Sequence, residues 1–388
     1  MTPLAIVVVG YDRPDSLSRL LDSLNQVAFE GHRVPLIISL DRSGNAAVEK
    51  VAETFTWKHG DKTVRTFPQR LGLKRHILAC GDLTRDHEHL IVLEDDLYVS
   101  ENLYHYAVQA ISAYRDDDRV AGLALYSYLW NEGCHRPFQP LDSLCDAYFV
   151  QSACSWGQIW SRGKWDQFMD WYRQHGDDFP PDPAIPRNVT RWSDQSWLKH
   201  HIRYCIETGR FFVFPRVALS TNFSDRGQHA HGQENGYQVP LQEPHTRTYR
   251  FPAFEESTAV YDAFFESMAL GGVLGIAPGE LCVDLYGAKR NAAKRRYWLS
   301  MEPANHGIVK SFGLAMRPHE ANVLRGIPGE SIFLYDTSMP ADKNPRTPGD
   351  FRDALVKYDV RNLSYKTLLR YSLRYMFRQL MAKLTWNR

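Results

Sequence analysis

The sequence predicts an α/β protein: a mostly parallel sheet with helices on both faces, then a small C-terminal α/β appendage and a basic amphipathic C-terminal helix. Three observations carry this. Short apolar runs alternate with segments of helical periodicity through the first hundred residues, the β-α-β-α-β order of a parallel sheet. The runs are apolar at every position rather than at every second one, as strands covered on both faces require. Several of them end in charged residues, and successive strand ends in such sheets form a ligand crevice.

Leu4 to Gly10 reads as the first strand, broken by Tyr11-Asp12-Arg13-Pro14. Asp15 or Ser16 is expected to cap a helix that puts Leu17, Leu20, Leu21 and Leu24 on one face. Val34 to Leu40 is a second strand, closed by Asp41-Arg42. A helix from Ala46 to Phe55, a short strand from Val64 to Phe67 and a helix from Gly72 to Leu83 follow. Leu90-Ile91-Val92-Leu93 then runs straight into Glu94-Asp95-Asp96. Three adjacent acids cannot continue a buried strand, because unpartnered buried charge is costly. The strand must end there, at the sheet edge. A divalent cation relieves the repulsion among the acids, and oxygen ligands suit Mg²⁺ or Mn²⁺; a solvated acidic turn is the plainer alternative.

Glu101 to Tyr114 is expected to be a helix capped at Ser100, and Val120 to Tyr128 a strand. Cys145 to Trp160 is apolar and aromatic, and its Trp156-Gly157 step suits either a ligand wall or core packing. Lys164 to Tyr172 is helical, and 177–187 is a Pro-rich acidic loop. Arg191 to Trp197 opens a helix reaching Thr208. That places Asp194 in the first turn, where the helix dipole favours a carboxylate and where one could act as a general base. Phe211 to Pro215 is a late strand. Ser220 to Gly236, with His229 and His231, reads as a lid over an anionic ligand or as a surface loop. Beyond it, Phe251 to Leu270 is expected to be helical, Gly271 to Gly275 a flexible joint, and Ile308 to Leu314 and Ser331 to Tyr335 strands.

The chain has 388 residues and a formal net charge of +1, enough for a large core with an appendage and no global argument for binding nucleic acid. Hydrophobic residues at 44% and charged residues at 23% describe an ordinary soluble protein. Six scattered cysteines without a CxxC pair exclude zinc-finger and redox spacings and fit free thiols in a reducing compartment. Neither a signal peptide nor an apolar stretch long enough to span a membrane is present, so a cytoplasmic protein, peripheral on the inner face of the membrane, is expected. The first strand is followed by neither GxGxxG nor a P-loop, which disfavours a dinucleotide or P-loop site. The expected divisions are 1–245, 246–360 and a tail at 361–388. From Arg361 to Arg388 there are seven Lys or Arg and no acid, with Lys366, Arg370, Arg374 and Arg378 spaced as one helical stripe. A basic amphipathic helix of this kind can lie on anionic lipid, or dock on its own domain or a partner.

Several segments, taken in order, resemble a known family. They are Asp12-Arg13, Asp41, Arg75-His76, Glu94-Asp95-Asp96-Leu97, Trp192-Ser193-Asp194 and His231-Gly232-Gln233. Between Leu4 and Gln233 the set resembles the GT-A glycosyltransferases, most closely the inverting N-acetylglucosaminyltransferase I family. The resemblance implies a Rossmann-like GT-A fold in which Arg13 and Asp41 hold the nucleotide and His76 contacts the base. It implies that Glu94 and Asp95 bind ribose and donor sugar, that Asp96 ligates Mn²⁺ or Mg²⁺ through the diphosphate, and that Asp194 is the catalytic base. His229 would stand on the phosphate side and His231 beside the metal; His229-Ala230 replaces the family's Val-Ser pair. The implied reaction is inverting transfer from a nucleotide diphospho-sugar, a UDP-sugar first among them, to a hydroxyl of a glycan or lipid-linked acceptor in cell-surface polysaccharide assembly. Two other classes share the raw features: a metal-dependent sugar nucleotidyltransferase, which usually carries a Gly-rich basic first loop unlike Gly10 to Pro14, and a non-catalytic carbohydrate-binding protein.

Overall fold

A computed structural model describes residues 4–223, 225, 236–244, 247–341, 351, 355–356, 359 and 364–386. Strand β1 (Leu4–Gly10) is buried along its whole length and pairs in parallel with β2 (Leu36–Leu40) on one side and β4 (His89–Glu94) on the other. β3 (Lys62–Thr66) joins β2 at the sheet edge, where one side of the strand lacks a neighbour among the described residues, and its sequence is correspondingly more polar. Beyond β4 the order continues through β10 (Gln158–Ser161), β6 (Val120–Ala124), β11 (Phe211–Pro215), β9 (Ala147–Val150) and β13 (Val260–Tyr261). Pairings are antiparallel on both sides of β10 and between β9 and β11, and parallel elsewhere, so the nine-stranded sheet is mostly parallel as expected.

The alternation along each strand divides the core into two layers. Ile6, Val8, Ile38 and Leu93 face α1 (Pro14–Leu24) and α4 (Leu103–Tyr114). Val7, Val9, Leu90 and Val92 share a layer with residues of α3 (Leu73–Gly81), α5 (Arg162–His175) and α7 (Leu198–Thr208). α2 (Ala46–Thr54) is N-capped by Asn45, whose side chain accepts from Ala47 N at 3.0 Å. α1 starts earlier than expected: Pro14 takes the first helical position and Arg13 is the N-cap, with no side-chain cap bond. Proline supplies the helical φ and has no N–H to leave unsatisfied there. Neither Asp15 nor Ser16 caps it, and the Ser16 hydroxyl donates to Asp225 instead, at 2.6 Å.

Two further expectations are corrected. Phe251 to Leu270 is not a helix. It holds a single 3₁₀ turn (Phe254–Glu256) and then β13, because the free edge of β9 offers backbone partners at Phe149 and Val150. Gly271 and Gly272 are not a joint but lie within α8 (Leu270–Leu274), which Gly275 closes at φ +67°. The large sheet thus takes its last strand from beyond residue 245.

A second sheet, ordered β14 (Leu281–Val283), β15 (Tyr297–Ser300), β17 (Ile332–Pro340) and β16 (His306–Phe312), has its own core around Leu285, Leu299, Phe312 and Leu334. Lys289 paired with Asp262, and the Tyr261 hydroxyl donating to Glu320 at 3.0 Å, tie it to the large sheet. The tail helix spans Tyr365–Trp386. Among the described residues no helix is long and apolar enough to cross a membrane.

Candidate functional site: an acid turn beside an aromatic cavity

β4 ends at Glu94; the chain turns through Asp95 and Asp96 and enters β5 (Leu97–Val99), which pairs with β12 (Ser220–Asn222). Backbone bonds pin the turn from two sides: Asp95 N donates to Val9 O at 3.0 Å, and Phe223 N donates to Asp96 O at 3.0 Å. Arg13, at the start of α1, neutralises part of the cluster. Its guanidinium pairs with Asp95, and with Asp96 at 3.1 Å, and donates to Asp225 O at 3.4 Å. Asp225 is held in turn by Ser16 and by Arg19, whose guanidinium lies 4.0 Å over the Phe223 ring.

The electrostatics follow from three carboxylates meeting one guanidinium. Burial would lower the Arg13 pKa, but Asp95 and Asp96 hold it above its ordinary value. Burial, then Asp96 and Asp95, push Glu94 up to about 8. Burial pushes Asp95 up to about 6 against the pull of Arg13. Asp95 Oδ2 and Asp96 Oδ1 are buried with no hydrogen-bond partner. Orphaned carboxylate oxygens on adjacent residues fit a hard divalent cation. Among the described residues no group of three or more His, Cys, Asp or Glu is arranged to hold a metal, so most of such a cation's ligands would come from elsewhere.

The other expected site residues are placed as follows. Asp41 is buried at the end of β2 and accepts from the backbone N–H of Arg42, Leu71 and Gly72 at 2.9, 2.8 and 2.9 Å, fixing the loop ahead of α3. His76 lies beneath that loop, 2% exposed, its Nε2 2.8 Å from Ser39 Oγ; burial pulls it to about 4, so it is neutral at pH 7. Asp194 is not in a first helical turn. α7 begins at Leu198, after a turn that follows α6 (Arg187–Thr190). The Asp194 side chain is 97% exposed and accepts from Lys199 Nζ at 3.0 Å, a bond that lowers its pKa. His229 and His231 lie outside the described residues.

Glu94 also lines a cavity of about 440 Å³. Its walls are aromatic, from Tyr128, Trp156, Trp192, Trp197, Tyr237 and Phe265. Trp156 packs 4.7 Å from both Tyr126 and Tyr237. Its carbonyl accepts from Ser220 Oγ at 2.6 Å. Gly157 follows at φ +89°, where a Cβ would stand 2.9 Å from that same Oγ and 3.2 Å from Leu125 Cβ, so only glycine fits there. Trp156 serves both uses open to it in the sequence: it lines the cavity and packs against the core.

The cavity holds a second carboxylate, Glu132, in the turn between β7 (Trp130–Asn131) and β8 (Arg136–Pro137). Asn131 clamps that turn, accepting from Gly133 N at 2.9 Å and donating to Phe264 O at 2.9 Å. Burial raises the Glu132 pKa, and a hydrogen bond with the Asn188 side chain opposes the rise. Sequence reasoning missed both residues. The one available signal was a polar Asn-Glu-Gly turn set among aromatic residues.

No protein-family profile and no curated protein matches the sequence. Solved structures resemble it only loosely. TarS 1–349 of S. aureus aligns at 11% identity over 58% of this chain and 61% of that one, with a TM-score of 0.38. The same protein in complex with UDP-GlcNAc aligns at 13% identity over 58% and 60%, with a TM-score of 0.36. The mannosyltransferase PcManGT from Pyrobaculum calidifontis, in complex with GDP-Man and Mn²⁺, aligns at 14% identity over 59% and 60%, with a TM-score of 0.38. The chain spans less than two thirds of each, and likenesses this loose assign no activity, so the functional reading rests on the site.

Proposed function

We propose that the chain is a metal-dependent, inverting glycosyltransferase that moves a sugar from a nucleotide diphospho-sugar to an acceptor hydroxyl. One observation carries the reading: strand β4 ends in Glu94, which lines an aromatic cavity, and runs straight into a buried turn where Asp95 and Asp96 each keep an orphaned carboxylate oxygen. Ligands of open α/β sheets sit outside the carboxyl ends of the strands, and β1, β2 and β4 bring Arg13, Asp41 and Glu94 to that edge. The nucleotide would lie across it, over the loop that Asp41 secures and His76 supports.

A diphosphate cannot approach three carboxylates without a counter-charge. Asp95 and Asp96 would hold a divalent cation, with His229 on the phosphate side and His231 beside the metal as the motif order suggests. When bound, that cation supplies neutralisation of the charge developing on the leaving diphosphate. Aromatic rings pack against the C–H faces of sugars, while Ser152, Asn188 and Ser193 offer the few polar contacts such a cavity needs. Glu94, which lines the cavity beside the acid turn, can accept a hydrogen bond from a sugar hydroxyl. In direct displacement the acceptor oxygen enters as the diphosphate leaves, and the anomeric configuration inverts.

UDP-sugars are the first donors to test. The acceptor would be a glycan or lipid-linked saccharide of the cell surface, reached from the inner face of the membrane with the tail helix on anionic lipid. Residues 1–245 carry most of the transfer site, and 246–360 add Ala263 and Phe265 to its wall. The test is thermal unfolding with UDP, GDP, CDP and TDP, each with and without Mn²⁺. One nucleotide is expected to raise the midpoint by several degrees with Mn²⁺ and little without it. Asp96→Asn should abolish the metal-dependent part. No shift from any nucleotide refutes the transferase reading.

A further inference from the structure

We infer that Glu132, rather than Asp194, accepts the proton from the acceptor hydroxyl. This deepens the transferase reading and rests on it. Among the described residues the cavity is lined by two carboxylates, Glu94 and Glu132. Glu94 belongs to the acid turn, where the donor's diphosphate end is placed. Glu132 reaches the same cavity from the separate β7–β8 turn, and so is available to a second substrate held between the aromatic walls. Asp194 does not line the cavity, although its neighbours Trp192, Ser193 and Ser196 do.

The surroundings of the two candidates differ in the sense that matters for a base. Glu132 has no cationic partner among the described residues; its bond is to the neutral Asn188 side chain, and burial raises its affinity for a proton. The groups that feel its charge, Tyr126, Tyr128, Tyr237 and Cys154, are themselves held protonated by burial and bring no competing charge. The basic residue of its own hairpin, Arg136, is committed to Asp359 at 2.8 Å. Asp194 stands in water with Lys199 on its carboxylate, an arrangement that weakens a base. The step balances without an enzyme nucleophile. The acceptor oxygen bonds to the anomeric carbon, the bond from that carbon to the diphosphate oxygen breaks with its electron pair going to the nucleoside diphosphate, and the hydroxyl proton passes to Glu132. The resulting neutral carboxylic acid suits an apolar cavity better than the carboxylate it replaces.

The experiment uses the full chain, Mn²⁺ and a panel of UDP-, GDP-, CDP- and TDP-sugars, reading release of nucleoside diphosphate to water or to an added saccharide. Glu132→Gln is expected to lower kcat by about 10²–10⁴-fold, the usual contribution of a placed base, and to remove the acid limb of the kcat–pH profile. Its nucleotide affinity and urea midpoint should match wild type, and Glu132→Asp should recover part of the rate. Asp194→Asn should keep most of the turnover. Glu132→Gln within about tenfold of wild type, or a loss confined to Asp194→Asn, overturns the assignment. A wild type that binds no nucleotide and turns over no donor defeats the transferase reading itself, before any variant is made.

Discussion

Arg13 is a single guanidinium facing two carboxylates directly and a third one residue away. Its side chain is 23% exposed and its Asp95 partner only 4%, so Arg13→Ala leaves a charge that water cannot fully reach. Breaking buried pairs costs about 3–5 kcal/mol, and the partial exposure of Arg13 puts the expected loss near about 2–3 kcal/mol. If a cation takes the same oxygens, Mn²⁺ should stabilise Arg13→Ala more than wild type in thermal unfolding. An equal shift in both would separate the guanidinium from the cation site. The pH dependence has a defined sign. Glu94 titrates near 8 when folded, above the ordinary glutamate value, so between those values the folded state holds a proton that the unfolded chain has released. Stability from this group is therefore greatest at low pH and falls as pH rises towards 8, with a slope of up to about 1.4 kcal/mol per unit. His76, His200, His201 and His319, all pulled down by burial, titrate in the opposite sense below the ordinary histidine value. From about pH 6.5 to 8, just above the histidine range, Glu320 near 7 and Lys164 near 8 titrate as well, so Glu94 is read from the difference between its variant and wild type. There, urea midpoints of Glu94→Gln should fall less steeply than those of wild type, and parallel lines would show that Glu94 is already ionised.

At the scale of elements, α3 and α5 meet with no room to spare. A Cβ on Gly81 would stand 2.0 Å from Trp165, which is itself stacked 4.3 Å from Trp160 and fully buried. Overpacking of this kind costs about 1–3 kcal/mol, while alanine improves helix propensity by roughly 1 kcal/mol. A contact this close to a buried ring belongs at the upper end of that range, so Gly81→Ala should lower the unfolding free energy from urea titration by a net of about 2 kcal/mol, and an unchanged value would mean that α3 can slide on α5. The same elements show what was legible beforehand. β1, β2 and β4 could be read because strands buried on both faces need unbroken apolar runs, and the acid turn because three carboxylates cannot follow such a run inside a core. β9 and β10 could not be separated within Cys145 to Trp160, since a continuous apolar and aromatic stretch carries no period and antiparallel insertion between β4 and β6 depends on distant partners. Phe251 to Leu270 misled for a related reason: its aromatic residues answer to the edge of β9 and to the core beneath it rather than to a helix axis. Glu132 was beyond reach, because Asn188, Tyr237 and Phe265 give it a site and come from three remote parts of the chain. Asp194 was misplaced because nothing in the sequence indicated that Lys199 would be buried and reach back to it.

For the molecule as a whole, the unsettled balance is at the tail helix. Tyr365, Leu369, Tyr371, Leu373, Met376, Phe377 and Leu380 are all exposed along Tyr365–Trp386. Uncovered apolar surface on this scale is a cost in water, and most of the stability of helices in proteins comes from packing an amphipathic face. Whatever covers it must also accept positive charge, since residues 361–388 carry seven Lys or Arg and no acid. An anionic bilayer meets both demands: the apolar arc enters the headgroup boundary and the basic stripe meets the lipid charge, each residue near the surface contributing about 1 kcal/mol. The full chain should therefore sediment with vesicles containing phosphatidylglycerol and much less with phosphatidylcholine alone. Binding should weaken as salt is raised, because part of it is screened charge. A chain ending at residue 360 should stay in the supernatant while keeping its nucleotide-dependent thermal shift, as the acid turn and the cavity lie wholly outside the tail. Equal sedimentation of both chains would place the membrane contact elsewhere, and loss of the nucleotide shift on truncation would mean that the helix folds back on the site.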